Sequence, residues 1–250
     1  MAEATRGRVR VEQSPKRVRA YLGGELVLDT LAPRLVWEVP YFPSYYVPVE
    51  HVRARLVPAE KRSHSPSRGD AEYFDVHAGG RVASESAYAY TSSPIEELRG
   101  LVRFEWDALD EWLEEDEPVY VHPHDPYTRI DILASSRRVQ VAVDGVEVAD
   151  SDQPRVLFET GLPPRYYVPI SHVRTELLRP SATVTRCPYK GTASYWSIEI
   201  DGRRYEDYVW TYRSPFAECA KIAGLVCFYN EKVDITLGGV TMERPRSHFS

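Results

Sequence analysis

The chain has 250 residues, of which 43% are hydrophobic and 27% are charged, and its formal net charge is −6. This balance is typical of a globular protein and excludes a disordered chain, while no run of 18 apolar residues is present to predict a membrane-spanning helix. The negative net charge argues against nucleic-acid binding, which needs a concentrated basic face.

The chain begins with MAEATRGRVRVEQ, which lacks the apolar segment of a secretory signal. The basic and apolar residues alternate there, which predicts the solvated face of a strand rather than a nucleic-acid-binding arm. Three cysteines, Cys187, Cys219 and Cys227, occur without a CxxC motif, so neither a disulfide framework nor a zinc site is predicted. We therefore expect a reduced, cytoplasmic setting, no membrane association and no metal or other cofactor.

The two halves of the chain repeat one sequence. Arg8–Glu38 aligns with Arg129–Glu159 without a gap, the motif YYVP follows in both halves, and GLVRF near the end of the first half returns as GLVCF in the second. A match of this length predicts two copies of one domain, at residues 1–125 and 126–250, and not a solenoid of short units. We expect the copies to be related by an approximate two-fold, in a monomer or a weak homodimer.

One segment gives conflicting signals. WDALDEWLEEDEP at 106–118 has apolar residues at helical spacing, but it aligns with NEKVDITLGGVTM, in which a Gly-Gly turn separates two strands. Homologous segments share a conformation, so we expect strands in both copies, with Asp110 matching Asp234. The following HPHDPY, 122–127, joins the copies as an extended connector that its prolines stiffen.

The remaining elements are β-hairpins and short helices. VQVAVDGVEVAD alternates apolar and polar residues around a DG turn, and TASYWSIEIDGRRYEDYVWTY repeats that pattern. Ser-Pro starts and glycine stops predict short helices at Ile95–Arg99 and Phe216–Ala223. The predicted fold class is therefore mainly β, with two tandem copies of a small, strongly bent β-sheet domain that has one short helix.

The most informative difference between the copies lies in one turn. CPYKGTASYW begins at Cys187, and its counterpart SPSRGDAEYF begins at Ser65. In a reverse turn Cys187 and Lys190 lie close together, and at an effective dielectric near 20 opposite charges about 4 Å apart attract by roughly 4 kcal/mol. Lys190 would then favour a reactive thiolate. The alternative is that Cys187 only packs at a strand end while Lys190 is solvated.

The strings YYVP…HVR, CPYKGTASYW, VWTYRSP and AGLVCFYNEKVD together resemble the DUF427 family, and in tandem form the resemblance covers essentially the whole chain. It implies a compact β-tent or Mss4-like fold and no settled activity. Some members carry a nucleotidyltransferase label, but Asp150 and Asp152 lie in a turn-rich segment without the glycine turn that a Mg²⁺-binding pair of that type needs. The zinc-binding CxxC pairs of β-tent proteins are absent from this sequence.

Other candidate site residues recur in both copies. Glu159 matches Glu38, and it is either paired with Arg174 or tuned as an acid or base. His172 matches His51; it is either a packed, hydrogen-bonded side chain or a general base that reaches Cys187. Arg174 is also a candidate ligand contact. Several aromatic residues of the second copy either floor a ligand pocket or only pack the sheet: Tyr166, Tyr167, Tyr195, Trp196, Trp210 and Tyr212.

His122, His124 and Asp125 offer metal-ligating atoms, but their interleaved prolines favour a rigid linker. Two functions follow from these patterns. The first is a small-molecule-binding protein or enzyme with its site in the second copy, where Cys187, Lys190, Glu159 and His172 are the candidate catalytic residues. The alternative is a non-catalytic tandem β module that serves as a scaffold or interaction surface, and nucleotidyl transfer is the least favoured reading.

Overall fold

The computed structural model describes residues 9–247 and divides the chain into two compact units that meet in sequence between Asp125 and Pro126. Strands form along most of both units, where apolar residues occur at every second position. A strand with one buried face needs this pattern, because successive side chains point to opposite faces. Among the described residues no helix is long and apolar enough to cross a membrane.

Between residues 9 and 125, the first unit contains eleven strands and three short 3₁₀-helices. The strands are β1 (Arg10–Gln13), β2 (Val18–Leu22), β3 (Glu25–Thr30), β4 (Arg34–Trp37), β5 (Ser44–Pro48), β6 (Arg55–Ser65), β7 (Gly69–Ala78), β8 (Arg81–Ala89), β9 (Leu101–Phe104), β10 (Glu111–Glu114) and β11 (Glu117–Pro118). The 3₁₀-helices are η1 (Val49–His51), η2 (Glu96–Leu98) and η3 (Trp106–Ala108).

The second unit also has eleven strands and three 3₁₀-helices. The strands are β12 (Ile130–Ala134), β13 (Val139–Val143), β14 (Val146–Ser151), β15 (Arg155–Glu159), β16 (Arg165–Val168), β17 (Leu178–Cys187), β18 (Gly191–Ile200), β19 (Arg203–Thr211), β20 (Val226–Phe228), β21 (Asp234–Leu237) and β22 (Val240–Thr241). The 3₁₀-helices are η4 (Ile170–His172), η5 (Thr175–Leu177) and η6 (Ala217–Ile222).

Both units have the same antiparallel topology. In the first, a seven-stranded sheet has the order β1-β4-β5-β9-β8-β7-β6, and a four-stranded sheet has the order β11-β10-β2-β3. In the second, the orders are β12-β15-β16-β20-β19-β18-β17 and β22-β21-β13-β14, so each strand of the first unit has a counterpart at the same place. The predicted mainly β class and tandem arrangement are confirmed, and the β-tent name stays a prediction.

The segment 106–118 forms strands, as predicted, but only after the short 3₁₀-helix η3. The sequence alignment of 106–118 with 230–242, however, was wrong by one residue. Glu111 lies opposite Tyr21 in β2, and Asp234 lies opposite Ala142, the counterpart of Tyr21, in β13. Glu111, and not Asp110, therefore matches Asp234, because strand pairing fixes the register where the sequences have diverged. The two predicted helices are shortened to the 3₁₀-helices η2 and η6.

The seven-stranded sheet of the second unit buries side chains on both faces, and this fact positions the site. Its inner face packs with the four-stranded sheet in a cluster that includes Tyr166, Ile198 and Phe228. Its outer face carries a second cluster that includes Tyr167 and Trp210 and is covered by η6. Neighbouring residues of one strand thus face different clusters.

Candidate functional site

A tight turn between β17 and β18 presents the CPYK sequence. Cys187 ends β17 and lies opposite Gly191, the first residue of β18. Gly191 has φ +94°, a conformation that is strained for any residue with a side chain, so glycine is needed there. The three residues between them close the hairpin and aim Lys190 towards the outer face of the large sheet.

Lys190 is buried and paired with Glu159. Its Nζ donates a hydrogen bond of 2.6 Å to Oε2 of Glu159, and the two side chains are only 10% and 8% exposed. Glu159 is the last residue of β15 and lies two positions after buried Leu157, which belongs to the outer-face cluster. Residues two apart in a strand point to the same face, so Glu159 also reaches the outer face. Of the two sequence interpretations of Glu159, the pairing with Arg174 is wrong, because Glu159 pairs with Lys190 instead.

The charge of Lys190 is stabilised by two anionic groups. Burial lowers the pKa of the Lys190 ammonium, but the negative charges of Cys187 and Glu159 outweigh burial, so the pKa is raised above its ordinary value.

The helix η6 and the residue before it hold the turn in place. The backbone N–H of Phe216 donates to the carbonyl oxygen of Lys190 at 3.3 Å. The thiol of Cys219 lies 3.5 Å from the carbonyl oxygen of Tyr189 and donates to it. Lys190 is therefore fixed by its backbone as well as by its ion pair.

Cys187 is partly exposed and packs against the outer-face cluster, in which Tyr212 is buried. Burial together with the negative charges of Cys187 and Glu159 raises the pKa of the Tyr212 hydroxyl, which places Tyr212 near both groups. Within residues 9–247, neither the Cys187 thiol nor the Tyr212 hydroxyl has a side-chain hydrogen bond.

The other aromatic residues of the outer face form a closed wall. Trp210 Nε1 donates to the Tyr167 hydroxyl at 3.1 Å, and the Tyr195 hydroxyl lies 2.8 Å from Oγ1 of Thr185. Arg165 pairs with Glu231 through two hydrogen bonds of 2.7 and 2.8 Å, and its guanidinium lies 5.6 Å from the centroid of the Trp210 ring. The polar groups of these side chains are therefore already engaged by neighbouring residues of the second unit.

The two other cysteines lack the exposure of Cys187. Both are fully buried in the outer-face cluster. Burial raises the pKa of Cys219 to about 11 and that of Cys227 to about 12. At neutral pH both are therefore thiols, which are poor nucleophiles.

The structure does not bring His172 to Cys187. His172 ends the 3₁₀-helix η4, and its Nδ1 lies 2.9 Å from Oγ of Ser151, which ends β14 in the small sheet. His51 makes the same contact with Thr30 at 2.7 Å in the first copy. The repeated histidine thus ties the connection after β16 to the small sheet. Of its two interpretations, the packed, hydrogen-bonded side chain agrees with the structure, and the base for Cys187 does not.

Arg174 and Tyr166 are also separated from Cys187. Arg174 is exposed and bonds Oε1 of Glu176 at 2.8 Å and the carbonyl oxygen of Glu147 at 3.3 Å. Tyr166 lies on the inner face of the large sheet, because it precedes Tyr167 in the same strand and successive side chains point in opposite directions. Neither can contact a molecule held at Cys187.

The first copy has the same strands and turn at the equivalent position, but its polar side chains there are hydrogen-bonded to one another. Glu38 accepts hydrogen bonds from the Tyr46 hydroxyl and, at 3.3 Å, from Arg103. Arg68, the counterpart of Lys190, lies 3.9 Å from Glu38 and donates to the Tyr90 hydroxyl at 3.1 Å. The hydroxyl of Tyr90, the counterpart of Tyr212, therefore already has a hydrogen-bond partner. Ser65 stands where the second copy has Cys187.

The candidate metal ligands are engaged in other contacts. His124 Nδ1 lies 3.0 Å from Oε2 of Glu114, and Asp125 accepts a hydrogen bond of 2.9 Å from Trp37 Nε1. Asp150 forms an ion pair with Arg138. Among residues 9–247 no group of three or more His, Cys, Asp or Glu side chains is placed to hold a metal ion.

Sequence reasoning did not find the Glu159–Lys190 pair, although the repeat contained its signal. A glutamate at the end of the fourth strand and a cation before the turn glycine occur in both copies, as Glu38 with Arg68 and as Glu159 with Lys190. The buried Arg165–Glu231 pair had no such signal, because Arg165 corresponds to Ser44 in the first copy.

The structure thus defines a mainly β protein with two like-folded units. The family described as a domain of unknown function (DUF427) matches the chain twice, over residues 10–115 and 131–239. The chain therefore belongs to the DUF427 family and contains two copies of its domain. No curated protein matches the chain.

Proposed function

We propose that the protein binds a small molecule in its second copy, at a site where Cys187 is the reacting or contacting group. Cys187 is the nucleophile, Lys190 stabilises its thiolate, and Glu159 positions Lys190. The Tyr212 hydroxyl is the polar group that orients the bound molecule. The observation that carries the proposal is the buried Lys190–Glu159 ion pair beside the partly exposed thiol.

One feature of this arrangement supports the proposal over the scaffold alternative. Removing an ammonium from water costs free energy that an ion pair only offsets, and the Lys190–Glu159 pair, unlike the buried Arg165–Glu231 pair, lies beside a partly exposed thiol. Lys190 is nevertheless held in the sheet and not in bulk solvent. The nucleotidyltransferase alternative receives no support, since the side chain of Asp150 is engaged by Arg138.

Alkylation by iodoacetamide at pH 7, followed by peptide mapping, tests the proposal. Cys187 should react much faster than Cys219 and Cys227, which serve as internal controls. Lys190→Met should slow the reaction at Cys187 several-fold, and Lys190→Arg should preserve it, because the first copy carries Arg68 at this position.

Arg68→Met in the first copy is the matched control and should leave the rate at Cys187 unchanged. Cys187→Ser should remain folded, because Ser65 occupies the equivalent turn. Equal reactivity of all three cysteines, or a Lys190→Met variant that reacts like the original chain, would move the assignment to the non-catalytic scaffold.

A further inference from the structure

A cavity on the inner side of the second unit lies apart from the Cys187 site. It has a volume of about 150 Å³, and most of its lining is apolar, with contributions from Pro163, Pro164, Val233, Ile235 and Met242. A cavity of this size with apolar walls is large enough for a benzene ring. Its polar lining includes Tyr166, which the thiol site does not use.

The first copy shows what the equivalent tyrosine binds. The Tyr45 hydroxyl donates a hydrogen bond of 2.6 Å to Oε1 of Glu114, and Lys16 forms an ion pair with the other oxygen of that carboxylate. His124 contributes a backbone N–H at 3.2 Å and its ring nitrogen at 3.0 Å. The buried carboxylate is thus held by a phenol, an ammonium and an imidazole.

The second copy keeps the tyrosine and the cation but lacks the carboxylate. Glu114 lies opposite Val18 in the first copy, and Leu237 lies opposite Val139, the counterpart of Val18, in the second. The gapless alignment pairs Lys16 with Arg137, and the shared YYVP motif pairs Tyr45 with Tyr166. A leucine therefore replaces the glutamate that satisfied both groups.

The two retained groups are without a partner. Within residues 9–247, the Tyr166 hydroxyl has no hydrogen bond and the Arg137 guanidinium has no ion pair. Arg137 is exposed, and it follows Ser135 and Ser136 as Lys16 follows Ser14 and Pro15 in the first copy. Burial raises the pKa of Tyr166, and the positive charge of Arg137 opposes that rise. Of the other polar groups, Asn230 is already bonded to Arg165 and to the carbonyl oxygen of Pro164.

We propose that this cavity binds a small apolar molecule that carries one carboxylate, with the carboxylate at the Tyr166 hydroxyl and the apolar body between the prolines, Val233 and Met242. Arg137, which is exposed and lies outside the cavity lining, attracts the carboxylate by its positive charge. The bound carboxylate takes the place that Glu114 fills in the first copy. The exposed side chain of Glu243 also lines the cavity, so a second negative charge on the molecule would be repelled. A monocarboxylic acid is therefore preferred over a dicarboxylic acid.

Binding of benzoate, measured by saturation-transfer NMR and calorimetry on the full chain, tests this proposal. Benzoate should bind more tightly than benzamide, its neutral isostere, and phthalate should bind weakly. Tyr166→Phe should weaken benzoate binding about five- to ten-fold, the effect of one lost hydrogen bond. Tyr45→Phe is the matched control and should leave binding unchanged.

Two further variants identify the carboxylate position. Leu237→Glu restores the first copy's side chain and should abolish benzoate binding, and Arg137→Met should weaken binding of benzoate but not of benzamide. Cys187→Ser should bind benzoate normally, so this result is independent of the thiol site. Absence of benzoate binding at millimolar concentration, or equal effects of Tyr45→Phe and Tyr166→Phe, would overturn the proposal.

Discussion

Single residues decide how the two copies use one frame. Glu114 is buried in the first copy and is replaced by Leu237 in the second, whereas Ser65 of the first copy is replaced by Cys187. A buried carboxylate is tolerated only where several donors reach it, and Tyr45, Lys16 and His124 do so. In the first copy these groups thus form a fully hydrogen-bonded network, whereas in the second copy the Tyr166 hydroxyl and the Arg137 guanidinium lack the carboxylate.

The Glu114 network predicts an acid-sensitive first copy. Although burial opposes ionisation, the hydrogen bonds from His124, Lys16 and Tyr45 outweigh it and lower the pKa of Glu114 to about 2. A group with a lowered pKa stabilises the fold above its ordinary pKa, and this contribution is lost as pH falls from about 4.5 towards 2. Its full size is of order 3 kcal/mol.

Hydrogen exchange of β10 and β2 measured across that pH range checks this prediction. Protection should fall as the pH drops in the original chain, and Glu114→Gln should exchange faster at neutral pH with a flatter pH dependence. Strand β21, which carries Leu237 instead, is the internal control. A Glu114→Gln variant with an unchanged pH dependence would contradict the assignment.

At the scale of elements, two turns of the first copy touch through their backbones. Gly23 lies in the β2–β3 turn and Gly79 in the β7–β8 turn, and a Cβ atom on Gly23 would lie 2.6 Å from the carbonyl oxygen of Gly79. The second copy carries Asp144 and Asp201 at these turns, and the Asp144 carboxylate accepts a hydrogen bond from Arg203. The two turns are thus held together by backbone contact in the first copy and by a charged hydrogen bond in the second.

This contact predicts different costs for alanine at two adjacent glycines. Gly23 and Gly24 both have positive φ, of 60° and 79°, but nothing lies within 4 Å of a Cβ atom on Gly24. Both substitutions incur backbone strain of about 1 kcal/mol, and Gly23→Ala adds overpacking of roughly 1–3 kcal/mol. Urea denaturation should therefore give a lower midpoint for Gly23→Ala than for Gly24→Ala, and equal midpoints would show that the turns separate without cost.

At the scale of the whole molecule, each hydrophobic cluster belongs to one unit. The two clusters around Tyr45 and Tyr46 draw their residues from the first unit, and the two around Tyr166 and Tyr167 draw theirs from the second. Each unit therefore has its own buried apolar surface, which is the main favourable term in folding.

We predict that damage to the first core leaves the second intact. All three cysteines lie in the second unit, so alkylation of buried Cys219 and Cys227 in urea reports the unfolding of that unit alone. Gly23→Ala should increase hydrogen exchange in β2 and leave the urea midpoint for Cys219 and Cys227 alkylation unchanged. A parallel shift of both measurements would indicate that the units unfold together.

The repeat made the fold predictable to a large extent. The alignment of 106–118 with NEKVDITLGGVTM correctly replaced a helical interpretation by strands, because homologous segments share a fold even where their hydrophobic patterns differ. It failed by one residue at Asp110, since only strand pairing reveals that Glu111 lies opposite Tyr21. The site was predicted less well: Cys187, Lys190, Glu159 and Tyr212 come together, and His172, Arg174 and Tyr166 do not.

The sequence by itself determined the mainly β class, the two copies and the turn that carries Cys187 and Lys190, because these depend on local alternation, turn residues and internal repetition. Only the tertiary structure decided which residues share a face. Glu159 and Lys190 are distant in sequence and meet across the outer face of one sheet, while Tyr166 and Tyr167 are adjacent and face opposite sides. Sheet order and register set these distances, and both depend on which strands pair at long range.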